Sequence, residues 1–187
     1  MRKLPVIAAG LAALAMLASG DVYKPDVPVF TADGQLTAPG YYREWMFLSS
    51  GLGMTYGPLG SATGEPRFDN VFVNPPAYRE FLKTGTWPDN TMFVLEVREA
   101  ATKVSINNGG KVQGAVSGIE AEVKTGGKWK FYDVSKGIAT AKPIAATASC
   151  YSCHAQNGAV DNTFVQFYPT LISIAKEHGT YKEKTEK

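Results

Sequence analysis

Two cysteines occur in the 187 residues, and they fall together in Cys150-Tyr151-Ser152-Cys153-His154. The C-x-x-C-H spacing suits one chemistry above others. Each thiol adds to one vinyl group of a haem, giving two thioether bonds. The adjoining imidazole then reaches the iron from the same side as its proximal ligand. The reading is one covalent haem c, held by Cys150 and Cys153, with His154 as the axial ligand. Two other chemistries use paired cysteines. A redox-active pair of the thioredoxin type asks for a motif that follows a strand in a βαβ pattern, and none is evident here. A zinc site asks for further ligands, and His178 is the only other histidine.

Attachment of this kind needs reduced thiols and an export route. Met1-Arg2-Lys3 is a short basic opening, Leu4 to Ala18 is apolar, and Ala18-Ser19-Gly20 is small. That is the layout of a secretory signal peptide cleaved after Gly20. The apolar run is short for a membrane span, and no cysteine follows it to carry a lipid anchor. The expectation is a signal peptide over 1–20, a single domain over 21–187, and export to a bacterial periplasm. Of 19 basic side chains, Arg2 and Lys3 leave with the leader, so 17 face 17 acidic ones and the formal charge is zero. No basic block points to nucleic acid, and the remaining length suits one domain with a real core.

The elements that must position the motif follow from periodicity. Residues 21–40 are rich in Pro, Asp and Gly and read as extended. Tyr41 to Ser49 is apolar and aromatic and enters a sheet, and Gly51 to Gly64, with five glycines, is a long loop. Phe68 to Val73 is a short strand. Pro75-Pro76 opens a helix through about Leu82, which Lys83-Thr84-Gly85 ends. Thr91 to Glu99 is the clearest strand, with Phe93, Leu95 and Val97 on one face and Met92, Val94, Glu96 and Arg98 on the other. Asn107 to Gly110 is a turn. Ile119 to Lys124 alternates Ile119, Ala121 and Val123 with Glu120, Glu122 and Lys124. Gly126-Gly127 turns the chain into a strand over Trp129 to Val134, and 135–146 is a connecting loop. Ala148 to Ala155 carries the haem motif on a short helix. Tyr168 to His178 is the closing helix, with Tyr168, Leu171, Ile172 and Ala175 on one face, and the tail after Gly179 frays. Strands joined by turns, with helices set aside, give an α+β class: an antiparallel sheet with flanking helices and the haem motif on a C-terminal helix.

This set of residues resembles the cytochrome P-460 family, which includes the β-type cytochromes c′. The resemblance rests on Tyr42-Arg43-Glu44-Trp45, on Phe72-Val73-Asn74-Pro75 followed by Ala77-Tyr78, and on Lys83-Thr84-Gly85. It continues through Thr91 to Glu96 and Cys150 to His154, and then through Thr163 to Pro169. It implies an α+β homodimer with five-coordinate haem iron and an open distal side. It also implies a small gaseous or nitrogenous ligand and, for an oxidoreductase, a redox partner cytochrome. The best-known members oxidise hydroxylamine and carry an extra bond from a lysine to the haem macrocycle. The β-type cytochromes c′ lack that bond and bind nitric oxide or carbon monoxide. In this chain Leu95 takes the place of the cross-linking lysine, and no position from 86 to 102 is lysine.

The residues that would face the iron on its open side are Phe68, Phe72, Phe93 and Leu95, an apolar cap without hydrogen-bond donors. Met54, in the glycine-rich loop, is the best candidate for a sixth ligand. Met46 and Met92 read as core, and His178 as exposed. Glu96 and Arg98 read as a surface pair, and Asp161 as a cap for the following segment. Three functions remain open. The first is a haem protein that binds a gas such as nitric oxide. The second is a haem oxidoreductase acting on hydroxylamine or a related nitrogen compound. The third is an electron carrier with six-coordinate iron.

Overall fold

The computed structural model describes residues 26–55, 64–135 and 137–183. Residues 1–20, where a signal peptide is expected, and residues 56–63 of the glycine-rich loop lie outside them. The chain begins with a two-residue strand β1 (Leu36–Thr37) and a 3-10 turn over Tyr42–Glu44. Then come β2 (Met46–Leu52), β3 (Arg67–Val73), α1 (Pro75–Thr84) and β4 (Met92–Ala101). They are followed by β5 (Val112–Thr125), β6 (Lys128–Asp133), β7 (Thr140–Ala141) and α2 (Ser149–Asn157). A 3-10 turn over Val165–Phe167 leads into α3 (Pro169–Glu177). The main sheet is a five-stranded antiparallel meander in the order β2-β3-β4-β5-β6, and β1 pairs with β7 separately. The α+β class is as the sequence implies.

Local chemistry explains the element ends. Pro75 and Pro76 occupy the first turn of α1, where the missing N–H costs nothing. Gly85 closes α1 in the left-handed conformation at φ 67°, its N–H bonded to the Phe81 carbonyl. A Cβ there would lie 2.7 Å from Cβ of His178, so glycine also lets α3 approach. Gly126 and Gly127, at φ 57° and 71°, supply the two positive φ angles that a tight two-residue hairpin requires. That turn fixes the register: Lys124 faces Trp129 and Glu122 faces Phe131.

The meander is covered on both faces. On one, Val73, Phe93 and Trp129 pack with Ala77 and Phe81 of α1 and with Leu171 and Ala175 of α3. Trp87 sits at its centre, 4.1 Å from the Phe81 ring and 4.8 Å from the Phe93 ring. On the other, Met92, Val94, Ala121, Val123 and Tyr132 pack under Leu36, Tyr42, Trp45 and Ala141. Burying each such large apolar side chain contributes about 1.5–3 kcal/mol.

Several expectations are corrected. β5 runs 14 residues rather than six. Its first half, weak in strand propensity with Gly114 and Gly118, is held by pairing with β4 through register shifts near Arg98. β1 and β7 are too short to read as periodic, yet Leu36 is fully buried between them and the sheet. Met46 is exposed, whereas Met92 is core as expected. Residues 180–182 are docked rather than frayed: Thr180 Oγ1 donates to the Gly85 carbonyl at 2.6 Å, and the Lys182 N–H to the Ala159 carbonyl at 2.8 Å.

Glu96 is not part of a surface pair. It is 2% exposed on the face opposite Phe93 and Leu95. Tyr42 Oη–H, the Arg43 guanidinium and Arg98 Nε–H all donate to its carboxylate. The adjoining Asn70 exchanges amide hydrogen bonds with Gln113, at 2.7 and 2.9 Å. Burial works against the Glu96 charge, but the three donors outweigh it, and its carboxyl titrates below the usual value.

Candidate haem site

Positions 150, 153 and 154 are three and four residues apart, so one helix turn puts them on a common face. α2 does this: Cys150, Cys153 and His154 all line a cavity of about 540 Å³ between that helix and the sheet. Both thiols are free. The sheet wall is made by Ser49 and Gly51 of β2, Asp69 and Val71 of β3, and Phe93 and Leu95 of β4. It continues through Glu120, Ala121 and Glu122 of β5 and Phe131 of β6, and Met54, Ser149, Phe164, Phe167 and Tyr168 add to the lining.

The helix is fixed by its own side chains. Tyr151 Oη–H donates to the Ile144 carbonyl at 3.2 Å, and its ring meets Phe131 edge-on at 4.7 Å. The Ile144 N–H in turn donates to the Phe131 carbonyl at 2.8 Å. The His154 ring lies between Phe131 and Phe164, at 4.6 and 4.3 Å between centroids. Its Nδ1 is 3.1 Å from the Asn162 carbonyl. With Nδ1–H donating there, the lone pair of Nε2 is left for a metal. Glu122 Oε1 also lies 3.4 Å from Nδ1, in ion-pair range but without hydrogen-bond geometry. Among the described residues this buried oxygen has no hydrogen-bond partner. Burial pushes the Glu122 carboxyl above its ordinary value, against the pull of His154.

Of the candidate distal residues, the structure brings Phe93, Leu95 and Met54 to the cavity. It does not bring Phe68 or Phe72. In β3 the side chains of Asp69, Val71 and Val73 turn toward the site and those between them turn away. Phe72 packs edge-on against Tyr42 and Phe47 on the far face, at 5.5 and 5.6 Å, and Phe68 shares its side by alternation. His178 is exposed at the end of α3 and takes no part. Asp161 binds Lys124 Nζ at 2.5 Å rather than capping the next segment.

The apolar cap without polar groups is the larger correction. Asp69, Glu120 and Glu122 bring three carboxylates to the cavity. Burial raises the Asp69 carboxyl above its usual range. Burial, then the charges of Asp133 and Asp69, does the same for Glu120. The alternation of β5 sets an apolar face against a charged one; on the charged face Glu122 is largely covered, while Glu120 lines the cavity and stays exposed. A signal was present: the Gly126-Gly127 hairpin puts Phe131 opposite Glu122, and an aromatic side chain beside a glutamate marks a covered face. No lysine of the described residues lines the cavity.

The donor set fits a haem. Two thiols and an imidazole share one face of a helix, and the cavity lies within the range of about 300–1,000 Å³ typical of cofactor and ligand sites. Its aromatic lining suits a flat apolar ring system. Fold and site together define a haem protein. The family model for cytochrome P460 matches residues 39–165, and the chain belongs to that family. No curated protein matched. Bound there, a haem supplies an iron centre for ligand binding or redox chemistry. The chain's own residues hold it, set the His154 ring and shape the opposite wall.

Proposed function

We propose that this chain is an exported c-type haem protein, with one haem held through Cys150 and Cys153 and five-coordinate iron ligated by His154, that binds a small ligand such as nitric oxide. The observation that carries this reading is the cavity wall: Phe93, Leu95 and Val71 face the site, and among the described residues no lysine does. Such a wall offers no partner for a macrocycle cross-link, and its apolar part favours an uncharged diatomic. The leader over 1–20 supports export, which covalent attachment requires.

A second reading, oxidation of hydroxylamine or a related nitrogen compound, is favoured by Asp69 and Glu120. Both line the cavity, and burial raises both carboxyls above their ordinary values, the direction that suits a general acid. A third, electron carriage, is favoured by Met54, which lines the cavity and carries a thioether able to ligate iron.

Titration of the ferrous holoprotein with nitric oxide, together with an assay for hydroxylamine turnover with an electron acceptor, separates them. Saturable nitric oxide binding without turnover is the expected result. Turnover that is lost in Asp69→Asn or Glu120→Gln would move the function to the second reading. A low-spin ferrous spectrum unchanged by nitric oxide, becoming high-spin in Met54→Ala, would move it to the third.

A further inference from the structure

The loop between α2 and the 3-10 turn that follows it is built to hold one carbonyl group. Asp161 and Asn162 are consecutive non-glycine residues at φ 47° and 61°. This is the left-handed region that asparagine and aspartate tolerate best. They form the corner of a two-residue turn in which the Thr163 N–H donates to the Val160 carbonyl at 2.8 Å. Three separate elements pin that turn. Lys124 Nζ of β5 binds Asp161 Oδ2 at 2.5 Å and the Trp87 carbonyl at 2.7 Å. Trp129 Nε1–H of β6 donates to the Asp161 carbonyl at 2.7 Å. Trp87 Nε1–H donates to Thr163 Oγ1 at 2.9 Å. Gly158 lies so close beneath that a Cβ would sit 2.4 Å from the Asn162 carbonyl carbon. The product of all this is the Asn162 carbonyl set 3.1 Å from His154 Nδ1, with Glu122 Oε1 waiting at 3.4 Å.

We propose that the Asp161-Asn162 turn is a positioning device for the axial histidine, held by Asp161 and Lys124, that keeps His154 Nδ1–H on a neutral carbonyl and off the Glu122 carboxylate. The proposal rests on His154 as the axial ligand. The choice of acceptor matters because the group bonded to Nδ1 sets the basicity of the ligating Nε2. A carboxylate is the stronger acceptor and makes the imidazole a stronger donor. Hydrogen bonding around the ligand is one of the levers by which a protein sets the potential of its iron. Asp161 and Lys124 act on the iron only through the turn and His154, and so are positioning residues.

The test is resonance Raman spectroscopy of the ferrous holoprotein and its midpoint potential in Asp161→Ala, Glu122→Gln and the double variant. With the turn loosened, Nδ1–H passes to Glu122. Asp161→Ala is therefore expected to raise the iron–histidine stretching frequency and lower the potential. Adding Glu122→Gln should reverse both shifts. An Asp161→Ala protein that melts earlier with frequency and potential unmoved would show a merely structural turn and overturn the proposal. A shift that survives Glu122→Gln would overturn it too. If Asp161→Ala does not fold, Trp129→Phe removes a different anchor of the same turn and is read the same way. Absence of an iron–histidine band in the unaltered protein would instead refute the axial assignment itself, and the proposal with it.

Discussion

Replacing Cys150 and Cys153 together by serine is expected to abolish haem retention under denaturing conditions. A haem-stained denaturing gel of the unaltered holoprotein should show a band at the chain's mass, and the double variant none. Either single change should leave one thioether, so the band is expected to persist and the pyridine haemochrome spectrum to move away from that of two saturated vinyl groups. The reason is geometric. Both thiols are free and face one cavity from one side of α2, so a haem bound there would be within reach of both. His154→Ala removes the proximal donor. The expected result is loss of the iron–histidine band in the resonance Raman spectrum of the ferrous protein. Haem that survives denaturation in the double serine variant would refute covalent attachment at this motif.

Glu96→Gln is the substitution with the largest expected effect on stability. Glu96 is buried and receives hydrogen bonds from Tyr42, Arg43 and Arg98. Removing one partner of a buried ionic group costs about 3–5 kcal/mol. Here the Arg43 and Arg98 side chains keep 51% and 23% exposure and can be rehydrated. The lower end, about 3 kcal/mol, is expected in chemical denaturation. The pH dependence follows from the sign of the shift. The Glu96 pKa is lower in the folded chain than its ordinary 4.5. Its contribution is therefore present above that value and is lost as pH falls through the depressed one. The unaltered protein should lose stability over that acid range more steeply than Glu96→Gln. Parallel acid profiles for the two proteins would refute the ionised network.

Much of the fold was legible because its signals are local. Alternation along β4, the two prolines opening α1 and the glycine pair between β5 and β6 each specify one backbone solution. The motif itself was legible for the same reason: its chemistry lies in five consecutive residues. What failed was the inference from polarity to exposure. Glu96 and Glu122 alternate with apolar neighbours as residues on a solvated face do. Yet Glu96 is met by Arg43 of the 3-10 turn as well as by Arg98, two residues on in its own strand, and Glu122 lies against His154 of α2. Arg43 and His154 are distant in sequence from the glutamates they meet, and strand periodicity carries no information about them. Phe68 and Phe72 failed for a related reason. Their strand was recognised, but which of its faces meets α2 depends on its pairing with β4. Val71 and Asp69 share the face of Leu95, and Phe72 pairs with Val94 on the other.

An ordinary haem c with an open side, in a cavity lined by Leu95 and, among the described residues, by no lysine, has a spectroscopic signature. The absorption spectrum of the reduced holoprotein, purified from a host that matures c-type cytochromes, reads it. A high-spin ferrous c-type spectrum with an unshifted Soret band is expected. A strongly red-shifted Soret band and a green protein would mean that the macrocycle is cross-linked after all, and would contradict that expectation.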